Sequence, residues 1–293
     1  MLPIPNLAAV VIAFEPDCRV LNKLLTQLSS SVEHLIVVFN SDYQSSQIED
    51  FENLLLIQNN ENLGIAEALN QGVRKALALD ASKVVLFDQD SDICSNHIPS
   101  LYNEFLTARK LLPNVAALSP RFFNIHTGIR EPFYSYNKGK LKKDIYANSS
   151  ISLFYSDFSI TSSILISSEV FSRVGLFDSK LFIDQVDTEW NFRVKKNGYI
   201  ICGTDGVQMK HSLGEEGTDF FGKKVYIHSP FRVMYQLRNS IRLAKSCYMP
   251  KWFLIKQACY LLVLYSYIGF KKRDLNYFKS LVSGLVKGLF SKH

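Results

Sequence analysis

Cysteine is sparse in this chain. The five among 293 residues, Cys18, Cys94, Cys202, Cys247 and Cys259, form no C-x-x-C pair. An odd number at wide spacing argues against a disulfide framework and fits free thiols in a reducing compartment. Glycine-rich phosphate loops are missing too. No G-x-G-x-x-G follows the first apolar run, which argues against a dinucleotide oxidoreductase, and no G-x-x-x-x-G-K-[ST] occurs, which excludes a P-loop. No basic stretch precedes the apolar run LAAVVIAF (7–14), whereas Pro3 and Pro5 do, so this run reads as a buried strand and not as a signal peptide. Internal repeats and low-complexity tracts are absent. Acidic side chains all but vanish at the end: residues 223–293 carry fourteen Lys or Arg and one acid, Asp274, while the rest holds nineteen basic against twenty-six acidic residues. An acidic body with a basic, apolar end suggests two tasks in two places.

What is present is a globular core. With 47% hydrophobic and 20% charged residues the chain is neither disordered nor a coiled coil. After 7–14, helical spacing links Val20, Leu21, Leu24, Leu25 and Leu28. HLIVVF (34–39), NLLLIQ (53–58) and KVVLFD (83–88) read as further strands, and Ile65, Leu69, Val73 and Leu77 mark a helix over 65–79. Continuous Val/Ile/Leu strands between amphipathic helices predict a parallel sheet covered on both faces, with ligands at the carboxyl ends of its strands. Residues 130–160 are rich in Tyr, Ser, Lys and Asn and are expected to form a long loop or an edge hairpin. ILIS (164–167) and YIIC (199–202) read as strands, and 187–196 as a short helix closed by Asn197-Gly198.

One acidic turn stands out. Asp88-Gln89-Asp90-Ser91-Asp92 follows an apolar strand, and carboxylates at i and i+2 on a turn can share one hard divalent cation that bridges diphosphate oxygens. The same residues also suit a plain turn or a helix N-cap.

Taken in order, LAAVVIAFEP (7–16), HLIVVFN (34–40), NLGIAEALNQG (62–72), VVLFDQDS (84–91), FIDQVDTEW (182–190), KHSLGE (210–215) and YQLRN (235–239) resemble the family 2 glycosyltransferases, above all the bacterial rhamnosyltransferases of cell-surface polysaccharide (O antigen) synthesis. The resemblance implies an α/β GT-A fold, with a mixed, mostly parallel central sheet flanked by helices and a C-terminal helical extension. It implies transfer with inversion from a nucleotide-sugar donor, dTDP-L-rhamnose, with a divalent cation, Mg²⁺ or Mn²⁺. Asp88 and Asp90 match the family's D-x-D, with Asp90 as the direct metal ligand, and His211 falls where relatives place a late His near the metal. Ala13, Glu15, Asn40, Asn62, Gly64, Asn70 and Asp88 are then expected at the nucleotide. Asp187 aligns with the catalytic base, Glu189 with a neighbouring acid, and Asp184 is the fallback base.

Single-displacement chemistry needs a carboxylate to take the proton of the acceptor hydroxyl, so a base far in sequence from the metal motif is the minimal requirement. Asp187 also reads as a helix N-cap, and a lone His211 as a structural residue. Two positions depart from the family pattern: Ala13-Phe14-Glu15 replaces Thr-Tyr-Asn, and Phe39 stands where an Asp usually reads the pyrimidine. A phenyl ring cannot accept a base N–H, which leaves Asn40 or Asp42 as substitutes, or Phe39 as packing. These departures keep another nucleotide sugar, or a non-catalytic membrane-bound scaffold, as alternatives.

The basic end divides from a catalytic domain of residues 1–222. In 252–270 the uninterrupted apolar stretch, Ala258 to Phe270, is short for a membrane span and suits an interfacial or buried helix. Tyr277, Phe278, Leu281, Val282, Leu285, Val286, Leu289 and Phe290 share one helical face opposite Lys279, Ser280, Ser283, Gly284, Lys287 and Gly288. That pattern predicts a helix lying in an anionic membrane surface. Packing on the catalytic domain or on a second subunit, as a homodimer, is the competing reading. Nucleic acid is the weakest, because phosphate binding needs no apolar stripe. The expectation is a peripheral protein on the cytoplasmic face of the inner membrane, acting on a polyprenyl-diphosphate-linked glycan.

Overall fold

The structure is a computed structural model that describes residues 2–42, 47–124, 130–144, 153–211, 217–220 and 223–291. Its first half is a run of parallel units. Strand β1 (Ile4–Ala13) leads into helix α1 (Cys18–Ser29), whose start is capped by Asp17 accepting from the amides of Arg19 and Val20. Strands β2 (Val32–Phe39) and β3 (Leu54–Gln58), helix α2 (Ile65–Ala78) and strand β4 (Lys83–Asp88) follow. In β1, Ala8, Val10 and Ile12 enter one core cluster while Leu7, Ala9, Val11 and Ala13 enter the other. A strand buried on both faces has no polar alternation, which is why its sequence reads as a continuous apolar run.

After helix α3 (His97–Leu111) come β5 (Val115–Asn124), the hairpin β6 (Phe133–Asn137) and β7 (Lys140–Asp144), and β8 (Leu153–Tyr155). Strand β9 (Ile164–Ser167), α4 (Ser168–Val174), a 3-10 turn (Ser179–Leu181), α5 (Val186–Lys196), β10 (Ile200–His211) and the pair β11 (Gly217–Phe220) and β12 (Lys223–Tyr226) complete the body. The eight-stranded sheet runs β3-β2-β1-β4-β9-β5-β10-β8. Strand β9 is antiparallel to both β4 and β5. This reversal brings Ser162 and Ser163, just before β9, to the edge where β4 ends.

Three helices close the chain: α6 (Pro230–Leu243), α7 (Lys251–Lys272) and α8 (Leu275–Phe290). They share a core of their own built on Val233, Leu237, Leu261, Leu264, Tyr265, Ile268 and Leu281. Helix α7 is longer than the apolar run 258–270 suggests, because Lys256 and Gln257 do not interrupt it. By length and composition it suffices to cross a membrane, although 39% of its apolar window is buried against the protein. In α8 the glycines mark the packed side. A Cβ on Gly284 would lie 2.8 Å from the Met234 carbonyl of α6, and one on Gly288 would lie 2.9 Å from Ile241 Cβ. The predicted apolar face is therefore divided: Tyr277 and Leu281 turn inward, while Val282, Val286, Leu289 and Phe290 stay exposed.

Candidate active site

The acidic turn is pinned to the carboxyl edge of the sheet. Gln89 accepts from the Phe14 amide at 2.6 Å and donates to the Phe14 carbonyl at 3.1 Å, which locks the turn to the end of β1. Ser91 and Ser162 hydroxyls meet at 3.0 Å. Asp92 forms a bridge with Lys210 and an ion pair with Lys23 at 2.6 Å, which sets it apart from the other two carboxylates. Burial, then the charges of Asp90 and Asp187, push Asp88 up to about 7, with Arg232 offsetting part of the rise. Carboxylates from opposite halves of the chain thus act on one another in one place.

The second cluster sits on a strained loop. Phe182, Asp184 and Gln185 have φ of 65°, 63° and 61°, a region unfavourable to residues with a Cβ. Helix α6 holds them there. Asn239 donates to the carbonyls of Leu181, Ile183 and Asp184 at 2.9–3.1 Å, and Arg238 donates to those of Lys180 and Leu181 at 2.7 Å. Arg232 grips both carboxylate oxygens of Asp184 at 2.9–3.0 Å. Helix α5 begins directly afterwards with Asp187 in its first turn. Burial and, more weakly, the Asp184 charge push Asp187 up to about 6, against the hydrogen bonds from Thr188 that favour its charged form. Such a carboxylate is a base matched to neutral pH.

At the nucleotide end several expected residues serve the frame instead. Asn40 is buried; it donates to Asn62 at 3.0 Å and accepts from Asn59 and the Leu63 amide at 3.2 and 3.0 Å. Asn62 in turn accepts from the Gly64 amide at 2.9 Å. These amides shape the turn before α2 and leave Asn40 little to offer a base. Gly64 has φ 82°, and a Cβ there would lie 2.6 Å from the Phe182 ring and carbonyl, so the turn presses on the strained loop. Phe39 is fully buried in the core on the α1 side, which settles it as packing, and Asp42 is exposed. Ala13 closes β1 with its carbonyl accepting from the Asn40 amide at 2.7 Å. Glu15 takes φ 46°, with its amide on the Ser41 hydroxyl at 3.3 Å.

Two expected site residues are engaged with the frame. The Asn70 side chain donates to the Phe177 carbonyl and accepts from the Phe177 amide, each at 2.9 Å, tying α2 to the segment before the 3-10 turn. Glu189 is buried, paired with Arg193 at 2.8 and 2.9 Å and with the Tyr248 hydroxyl at 2.6 Å. Arg193 then reaches the carbonyls of Val174 and Leu176, so this pair staples α5 to α4. Helical spacing explains the second: Glu189 lies two positions from Asp187, which turns it to another face. His211 ends β10 one residue after the bridge to Asp92, which puts its backbone by the acidic turn. Its side chain and the loop 212–216 lie outside the described residues.

Sequence reasoning missed Arg232, Gln89 and Gln236, whose side-chain amide donates to the Asp184 carboxylate at 3.4 Å. Arg232 was hidden within the basic end, where a count of charges gives no hint that one cation pairs with Asp184. Among the described residues no three His, Cys, Asp or Glu form a ready metal cage. A Mg²⁺-type site needs only one or two carboxylates beside substrate phosphates, and the mutually repelling pair Asp88 and Asp90 fits that donor set.

No family profile matches the chain. A dTDP-rhamnosyl transferase, RfbF of Shigella flexneri, is 30% identical over 291 residues, 97% of this chain and 95% of that one. A crystal structure of GalNAc-T7 with UDP, GalNAc and Mn²⁺ superimposes with TM-score 0.55 at 12% identity, over 79% of this chain and 47% of that one. Residues 1–349 of S. aureus TarS with UDP give TM-score 0.52 at 10% identity, over 87% and 70%. Identities this low carry the fold alone, and that fold is the GT-A architecture. The near-complete match in sequence carries more: the chain belongs to the family of the Shigella rhamnosyltransferase and is a glycosyltransferase.

Proposed function

We propose that the enzyme transfers L-rhamnose from dTDP-L-rhamnose, with inversion, to a polyprenyl-diphosphate-linked glycan at the cytoplasmic face of the membrane, in the synthesis of cell-surface polysaccharide. The donor assignment rests on the relative's activity. What supports the chemistry is that Asp90 and Asp187, from distant parts of the chain, both lie close enough to Asp88 to raise its proton affinity.

Asp187 takes the proton of the acceptor hydroxyl as the new glycosidic bond forms. Its elevated proton affinity, set by burial and by Asp184, is what makes it effective near neutrality. Asp184 stays clamped by Arg232 and keeps the loop and its neighbour in register. Asp88 and Asp90 would hold a Mg²⁺ or Mn²⁺, which when bound offsets charge on the departing nucleoside diphosphate.

The α7–α8 surface supports work at a membrane. Trp252, Val263 and Phe270 of α7 and Val282, Leu289 and Phe290 of α8 are exposed, the last 82% so. Lys256, Lys271, Lys272, Arg273, Lys279 and Lys287 are exposed among them. Apolar side chains interleaved with cations match an anionic lipid surface, where each nearby cation contributes about 1 kcal/mol.

The test is direct. Purified enzyme is incubated with dTDP-L-rhamnose or UDP-sugars, with Mg²⁺ or with EDTA, and a lipid-linked acceptor, and the product anomer is read by NMR. Inverted rhamnoside formed only with the cation is expected. Transfer from a UDP-sugar alone, or retention at the anomeric carbon, refutes the assignment.

A further inference from the structure

A pocket lies beside the catalytic edge, on the side away from the nucleotide end. It encloses about 140 Å³ and is lined by Ser119, Phe122, Glu131, Phe133, Ser156 and Phe158, among others. Ser119, on β5, is 1% exposed, and its hydroxyl has no hydrogen-bond partner among the described residues. A buried hydroxyl left unpaired costs about 1–3 kcal/mol, so a lone Ser119 in an aromatic wall calls for a polar guest.

Register locates the pocket. Leu165 of β9 pairs with Val85 of β4 on one side and with Leu118 of β5 on the other. Val85 and Leu118 both enter the core cluster on one face of the sheet, so Asp88 and Ser119 share the opposite face, that of α5. Their strands are two spacings apart, roughly 10 Å. The pocket's rear segment is held to both catalytic clusters. Ser162 bonds to Ser91 of the acidic turn at 3.0 Å. Asn191, one helical turn beyond Asp187, donates to the Ser159 carbonyl at 2.7 Å, and Phe192 packs edge-on to Phe158 at 5.3 Å.

We propose that this pocket is a subsite for one sugar ring of the acceptor. The chemistry of the lining fits a pyranose: Phe122 and Phe158 supply apolar contact for its C–H surface, while Arg121 covers the Phe133 ring at 4.0 Å. The Ser119 hydroxyl, the Glu131 carboxylate and the proton of Ser156, whose oxygen accepts from Ser159 at 2.8 Å, serve its hydroxyls. A cavity of about 150 Å³ takes a single six-membered ring, so the pocket holds one residue and not a longer glycan. The nucleotide end lies across the acidic turn, beyond β4, so a ring seated here sits on the acceptor side of that turn. The inference rests on the proposed transfer to a glycan, and it names where one ring of that acceptor is held.

The test uses the full chain. Methyl glycosides of a 6-deoxyhexose and of an N-acetylhexosamine are titrated by saturation-transfer NMR, dTDP binding is measured by calorimetry, and acceptor KM is measured where transfer is observed. Ser119→Leu, which fills the pocket, is expected to abolish the glycoside signal. Ser119→Ala and Glu131→Gln each weaken it about tenfold, the equivalent of one hydrogen bond. Acceptor KM rises in step, while dTDP affinity and the melting temperature hold. Unchanged glycoside binding and unchanged KM in all three variants, or no glycoside binding to the wild type because the pocket takes water only, overturns the proposal. Absence of dTDP binding in the wild type, with glycoside binding lost on filling, sinks the donor assignment and leaves the subsite standing.

Discussion

Asp88→Asn should make the protein more stable at alkaline pH while abolishing its activity. Burial and the charges of Asp90 and Asp187 raise Asp88 from 3.8 to about 7. The folded state therefore holds this proton more tightly than the unfolded state does. The stability it contributes is complete below the unfolded value, near 4, and is lost as pH rises through the folded value, near 7. A rise of three units corresponds to about 4 kcal/mol. Asp88 keeps partial contact with solvent, and screening there reduces the figure to about 2 kcal/mol.

An asparagine fills the same space with no charge to repel. At pH 8 without divalent cation the variant should melt higher than the wild type by about 4 °C, and at pH 4 the two should nearly coincide. Adding Mg²⁺ at pH 8 should raise the wild type and barely move the variant, since a bound cation relieves the same repulsion. Differential scanning fluorimetry across pH 4–8, with Mg²⁺ or EDTA, reads all of this. A melting difference that does not change with pH, or a wild type indifferent to Mg²⁺, would mean that Asp88 and its neighbours do not form one electrostatic unit.

Asp187→Asn should lower kcat by 10²–10⁴, as loss of a general base does, with nucleotide binding intact by calorimetry. In the wild type the acidic limb of kcat/KM should fall off below about 6, the value to which burial and Asp184 raise Asp187; a limb near 4 would assign the base elsewhere. Gly64→Ala forces a Cβ to within 2.6 Å of Phe182 at φ 82°. It should cost about 2 kcal/mol in denaturant melts and raise the donor KM. Val282→Asp with Leu289→Asp should release the protein from anionic vesicles in flotation assays while turnover of soluble donor persists; continued flotation would place the anchor on another surface.

Much of the fold could be read from the sequence because its first half obeys simple periodicities. The strand read at 83–88 is β4 residue for residue, and the helix read at 65–79 ends one residue earlier, at Ala78. The acidic turn was legible because apolar residues stop abruptly at Asp88. The reversal of β9 was not, since ILIS has the same composition whichever way it runs. Nor was the strain at Phe182, Asp184 and Gln185, whose left-handed backbone is imposed by Asn239 and Arg238 from a distant helix and has no local signature. Nor were the partners of Asn70 and Glu189, because polar side chains near a site in sequence can be engaged by backbone groups and ion pairs that only tertiary contact creates.

That distant helix changes what the basic end is for. Gln185 of the strained loop donates to Ser240 of α6 at 2.8 Å and to Gln257 of α7 at 3.0 Å. The backbone of His228, just before α6, is held by the Tyr265 hydroxyl of α7 and the Tyr277 hydroxyl of α8, each at 3.1 Å. Residues that define the proposed lipid-facing helices thus also hold the loop before Asp187. Cutting the chain at 272 removes α8, uncovers the groove of α6 where Gly284 and Gly288 sit, and frees His228 from Tyr277. A deletion would then lose activity even if membrane attachment were irrelevant to catalysis. Exposed-face substitutions such as those at Val282 and Leu289 separate the two roles, because they change what meets lipid and leave the contacts to α6 in place.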